Sequence, residues 1–248
     1  MLPAMGEMKE AVNAGAAPVN QLVIAGNACG PAALLSAFRC GDENWRRAAD
    51  AVPGENDRQR LRTIILREGM RPSKNLGGRP RWSKSGLNVA DLCDMANELT
   101  RGQYLPGLGY EIFFLKPKET PEKLLGRVHG RLVKSLDRGF PPVVSIRRFV
   151  KKRGVWNVVE GHFVTVVGVE KKLAKGERGF AVSYLDPWGG KRDSGRIIIS
   201  PTAFQAGGND PMFAPCLEAA FPKASVGKAK AGKGEPTFIA ISAAIGRW

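Results

Sequence analysis

The feature that most constrains this chain is a change of pattern near residue 140. Before it the signals are helical. Leu34, Leu35 and Phe38 follow Cys29-Gly30-Pro31 at the spacing of a buried helical face, and Gly41 ends that run. Residues 43–51 and 57–68 read as two further helices, the second closed by Gly69. Residues 70–87 are rich in Gly, Pro, Ser and basic side chains and read as a loop. Asn88 is an N-cap with Asp91 in a box-like position. Its helix runs to about Thr100, with Val89, Leu92, Cys93, Ala96 and Leu99 on the apolar face. After a strand over 110–115, Thr120-Pro121-Glu122 supplies cap, first-turn proline and first-turn acid for a helix ending near Asp137.

Beyond Gly139 the periodicity becomes that of strands. Residues 142–149, 155–169 and 180–185 are rich in Val, Ile and aromatics, and 196–200 and 237–243 add two more such runs. Residues 225–235, a Lys/Gly/Ala run, read as a solvated loop. Helices first and strands later predict an α+β fold, a helical N-terminal half packed on a C-terminal antiparallel sheet. The expected organisation is a flexible lead-in over 1–20 and a single domain over 21–248. Its helical part spans about 27–138 and its β part about 140–245.

The net charge is +15, from 38 basic and 23 acidic residues, which favours anionic partners such as nucleic acid, acidic cell-wall polymers or anionic lipid. A basic surface on a soluble protein is the plainer reading. The basic residues are scattered, with denser runs over 71–84 and 147–153, and they form no ladder with aromatics of the single-strand-binding kind. No apolar run reaches the roughly 18 residues of a membrane span. The opening residues lack the apolar core of a secretory signal, so a cytoplasmic location and export after loss of a leader both stay open.

Four cysteines occur, Cys29, Cys40, Cys93 and Cys216, with no C-x-x-C pair and no zinc-finger spacing to histidine, so no metal or other cofactor is expected. Cys93 lies on an apolar helix face and Cys40 precedes a helix-ending glycine, and both read as packing. Cys29 differs, because it heads a helix. Free N–H groups and the helix dipole favour a thiolate there, and the Cys29 N–H is itself an oxyanion donor. The chain has two histidines. His129 sits in a helix among Arg127, Arg131 and Lys134 and reads as a surface residue. His162 opens the strand Gly161-His162-Phe163-Val164-Thr165-Val166-Val167. Alternation puts His162, Val164 and Val166 on one face and Phe163, Thr165 and Val167 on the other. Asp186, before Pro187, Trp188, Gly189 and Gly190, ends a strand. It suits a plain turn, and equally a carboxylate orienting His162.

Cys29-Gly30-Pro31, Gly161-His162-Phe163-Val164 and Asp186-Pro187-Trp188-Gly189, in that order, resemble the papain-like cysteine peptidases. The nearest branch is the bacterial double-glycine-leader peptidases and their relatives. Gly86-Leu87-Asn88 with Asp91-Leu92 resembles that family's middle helix, and the likeness covers roughly residues 20–190. It implies a papain-like fold and a cysteine peptidase or amidase acting on peptide or protein substrate, with Cys29 as nucleophile, His162 as base and Asp186 as orienting group. In that family a Gln commonly stands six residues before the nucleophile, where this chain has Val23; the amides nearby are Asn27 and Gln21, and Asn27, the closer, is the candidate second oxyanion donor. Two alternatives remain, a non-catalytic basic binding module on the same fold and a thiol acyltransferase of transglutaminase-like chemistry. The long separation of Cys29 from His162 disfavours the latter.

Overall fold

The computed structural model describes residues 6–200 and 217–248, so Cys216 and residues 1–5 lie outside the described part. The helical elements are α1 (Cys29–Cys40), α2 (Glu43–Asp50), α3 (Asp57–Ile64), α4 (Val89–Thr100) and α5 (Pro121–Asp137). A π-helical turn over Ile65–Gly69 extends α3. The strands are β1 (Met8–Glu10), β2 (Gly109–Ile112), β3 (Val143–Lys152), β4 (Val155–Glu170), β5 (Gly179–Asp186), β6 (Lys191–Ile198), β7 (Glu218–Ala220) and β8 (Thr237–Gly246). The protein is a mixed α+β structure, helices with an antiparallel sheet, as the change of pattern predicts.

The start signals act as the sequence suggests. Asn88 Oδ1 accepts from the Asp91 N–H at 2.8 Å, and Thr120 Oγ1 accepts from the Lys123 N–H at 3.3 Å, with Pro121 opening α5. Each such cap is worth about 1 kcal/mol.

The sheet does more than the pattern predicts. Pairings run β3–β4, β4–β5, β5–β6, β6–β7, β7–β8 and β8–β3, so six strands close into an antiparallel barrel. Closure is thinnest between β7 and β8, where Glu218 pairs with Ala240 and the Ile241 N–H donates to Leu217 O at 3.0 Å. At Gly195 the β6 backbone runs tight against the chain after β7. A Cβ there would stand 2.6 Å from Ala220 O and 2.5 Å from a Phe221 ring carbon.

Four expectations need correction. Residues 8–10, inside the expected flexible lead-in, form β1 along β4, and the Ala11 and Asn13 N–H groups donate to Val167 O and Cys40 O. The strand expected at 196–200 begins at Lys191, because β5 supplies a full-length partner for a polar segment. The 225–235 run is not wholly solvated: Val226 is buried, and its carbonyl accepts from Arg148 Nε. Val167 joins the barrel core beside Val166, because a bulge interrupts the β4–β5 register between Val166 and Gly168 and breaks the alternation.

Two apolar clusters hold the molecule. One fills the barrel, and α5 lays Leu124, Leu125, Val128, Leu132 and Leu136 on it. The other is built on α1, whose residues are all buried except Arg39. A helix apolar all round belongs in a core. Phe38, Trp45 and Phe140 interlock there, with Trp45 and Phe140 ring centroids 4.7 Å apart. Burying each of Leu34, Leu35 and Phe38 completely contributes roughly 1.5–3 kcal/mol. Val143, Phe163 and Ile245, from the barrel wall, complete this second cluster. The N-terminus of α1 is thereby fixed against β4.

Candidate active site

Cys29 is the first residue of α1, after Ala28, which offers no side-chain cap. Its N–H has no intrahelical acceptor, as for any first-turn residue. Cys29, Asn27 and His162 all line a cleft of about 700 Å³ between the 84–89 segment and the barrel wall.

His162 lies where β4 runs past the end of β5, beyond the Thr165–Leu185 pair, and Asp186 is the last residue of β5. His162 Nε2–H donates to Asp186 Oδ1 at 2.8 Å, and the same oxygen accepts from the Trp188 N–H at 2.8 Å. The turn at Pro187 therefore fixes the carboxylate before it meets the imidazole. With Nε2 engaged, Nδ1 is the nitrogen left for Cys29. Both groups are buried, His162 at 6% exposure and Asp186 at 3%. Burial works against a charged ring, but hydrogen bonds with Asp186 and Cys29, and the charges of both, outweigh it, and the His162 pKa is raised to about 9.

The other described thiols, Cys40 and Cys93, do not line the cleft. Burial pushes both Cys40 and Cys93 up to about 11, and the Cys93 thiol donates to Leu108 O at 3.4 Å. His129 is a joint rather than a loose surface group: its Nε2 bonds Glu170 O at 2.7 Å and its ring meets Phe180 edge-on.

The two amides are placed differently. Asn27 borders the cleft, but its Nδ2 donates to Ser83 O at 2.7 Å and its carbonyl accepts from Trp82 Nε1 at 3.2 Å. One Nδ2 hydrogen remains for a ligand. Gln21 is fully buried; its backbone N–H donates to Pro187 O at 2.9 Å and its side-chain Nε2 to Gly26 O, tying the Asp186 turn to the segment before Cys29. The structure thus brings Cys29, His162 and Asn27 to the cleft, with Asp186 behind His162, and leaves Gln21 as a brace.

Sequence reasoning missed three contributors. Trp82 holds Asn27 from the 70–87 loop. Ser242 enters the cleft because the β3–β8 register shifts between Ser145 and Ile146. Arg147, within one of the denser basic runs, lines the cleft, and charge density along the chain is its only sequence signal. Compared with known proteins, the chain matches no protein-family model and no curated protein.

Proposed function

We propose that the protein is a cysteine peptidase or amidase, a thiol hydrolase acting on a peptide-type bond through an acyl-enzyme. The observation that carries this reading is the position of His162, held by Asp186 at 2.8 Å through one nitrogen and facing Cys29 at the head of α1 with the other. The helix-and-barrel arrangement supports the finer reading of a papain-like fold, nearest the double-glycine-leader peptidase branch.

The chemistry balances without a cofactor. The Cys29 sulfur adds to the substrate carbonyl, whose oxygen takes the negative charge and hydrogen-bonds to the Cys29 N–H and to Asn27 Nδ2. His162, carrying the proton on Nδ1, gives it to the leaving nitrogen as the C–N bond breaks, leaving a thioester. The neutral ring then takes a proton from water as the water oxygen attacks the thioester. Collapse releases the acid and restores the Cys29–His162 pair. Asp186 keeps Nε2 protonated throughout.

Two measurements test it. Iodoacetamide at neutral pH is expected to alkylate Cys29 far faster than Cys40 or Cys93, as read by mass mapping. Cys29→Ala is expected to abolish hydrolysis of any peptide the parent protein cleaves; full activity in that variant ends the reading.

A further inference from the structure

Arg147 is placed in the cleft, and no partner for its side chain stands among the described residues. On β3, Ser145 and Arg147 line the cleft while Ile146 between them is in the barrel core. Arg147 is half-buried, and among the described residues its side chain makes no ion pair and no hydrogen bond. Its neighbours are committed. Arg148 is held by Val226 O and by Thr237 Oγ1 at 3.0 Å. Lys230 donates to Val159 O at 3.2 Å and stands 3.6 Å from Glu160, the cleft's carboxylate. Lys84, exposed on the opposite wall, adds a second cation with no ion pair among the described residues.

The backbone leaves room beside this guanidinium. Arg147 pairs with Gly161 on β4 and Ala240 on β8. Residues opposed in an antiparallel ladder share a face. A Cβ on Gly161 would meet nothing within 4 Å, so the space next to Arg147 is open where another residue would fill it. The Ser242 hydroxyl donates to Ser145, 3.0 Å from its Oγ, which leaves the Ser145 hydroxyl hydrogen as a polar donor at the same wall. A half-desolvated guanidinium presents a planar fork of donors matched to a carboxylate, and a charge-assisted pair of this kind gains strength from losing water.

Resting on the hydrolase reading, we propose that the cleft selects peptides with an Asp or Glu side chain close to the bond attacked by Cys29, and that Arg147 is the residue that binds that carboxylate. Lys84 adds attraction from across the cleft. The chain's excess of positive charge then has a local use.

The test is a set of peptidyl chloromethyl ketones, which alkylate a thiol with loss of chloride, differing only in Glu, Gln or Lys at each position in turn. At one position the Glu probe is expected to inactivate about ten- to a hundredfold faster than the Gln probe, the size of a charge-assisted hydrogen bond, with Lys slowest. Arg147→Gln is expected to bring the Glu-to-Gln ratio near one, and Arg147→Glu to favour Lys. Equal Glu and Gln rates at every position, or a Glu preference that survives Arg147→Gln, overturn the proposal. Binding of the unreactive Glu and Gln peptides, followed by fluorescence anisotropy, separates this question from catalysis. A Glu preference that Arg147→Gln removes supports the carboxylate site even if Cys29 resists every alkylating agent. No preference, in a protein whose Cys29 reacts rapidly with iodoacetamide, overturns the site and leaves the hydrolase reading standing. Preference for a polyanion such as heparin over the Glu peptide at this cleft also overturns it, in favour of a polymer site.

Discussion

Thr165 Oγ1 donates to the Ala33 carbonyl oxygen at 2.6 Å, joining the strand that carries His162 to the helix that begins at Cys29. Both residues are fully buried, so the bond is shielded from water. Thr165→Val keeps the shape and deletes the donor, while Ala33 O keeps its helical acceptor role. Denaturant unfolding is expected to show a loss of about 1 kcal/mol. Alkylation of Cys29 is expected to slow several-fold, because β4 and α1 lose a fixed spacing near His162 and Cys29. An unchanged alkylation rate would assign that spacing to packing alone.

Asp186 sets the pH range of the pair. The His162 pKa is raised to about 9. The stabilisation of the charged ring is therefore fully present below its ordinary value near 6.5 and is lost as pH rises through about 9. In the proposed mechanism the same ring carries a proton to the leaving group, so kcat/KM is expected to fall above about pH 9. Asp186→Asn keeps an acceptor for the Trp188 N–H and places a neutral amide beside Nε2. The high-pH limb should move to lower pH, with kcat reduced on the order of 10²–10⁴-fold through the wrong tautomer. A pH–rate profile of the variant that keeps its limb near pH 9 would remove Asp186 from the mechanism.

What was legible in the sequence follows from where the information lies. Asn88, Thr120 and Pro121 mark helix starts through local hydrogen bonds and a fixed backbone angle, so they read directly. Cys29 stands out because a helix start is itself a local signal, whereas His162 lies within β4 and is marked only by its β-forming neighbours. β1 and β7, of three residues each, and the polar first half of β6 gain their conformation from partner strands, and nothing in their own residues announces it. Barrel closure is a relation between segments far apart in the chain, as are the bulges at Val167 and Ser242. Arg147 reads as one basic residue among many until Gly161 and Ala240 are known to stand on either side of it.

That non-local closure can be probed at Gly195, where glycine is needed for space. A Cβ there would overlap Ala220 O at 2.6 Å, a backbone atom that cannot turn away. Gly195→Ala is expected to cost about 1–3 kcal/mol, the range of overpacked sites. The loss should appear as faster hydrogen exchange in β6, β7 and β8, with α4 unaffected. Protection spread evenly over the molecule would mean that the barrel seam is not a separate unit of stability.

Arg81 tests how the loop that carries Trp82 and Ser83 is held. It is 2% exposed, and its Nη1 and Nη2 donate to Glu98 Oε2 and Oε1 at 2.7 and 2.9 Å. That pairing, above all the Arg81 hydrogen bond, holds the Glu98 carboxyl well below the usual carboxylate range, against the opposing effect of burial. Glu98 keeps a second pair with Arg71 at 2.8 Å, so Arg81→Met removes charge-assisted hydrogen bonds without leaving the carboxylate bare and is expected to cost about 1.5–3 kcal/mol at neutral pH. The sign of the pH dependence follows from the lowered value. The Glu98 contribution is present above the usual carboxylate range and is lost as pH falls through the depressed pKa. The stability difference between parent and variant in urea should therefore shrink as the solution is acidified. A difference that stays constant with pH would show that the cost arises from packing around the Arg81 stem and not from the ion pair. The loop also holds Asn27 through Ser83 O and Trp82 Nε1. On the proposed hydrolase function, the same variant should therefore slow hydrolysis through a loss in kcat, with the Asn27 amide no longer fixed beside Cys29.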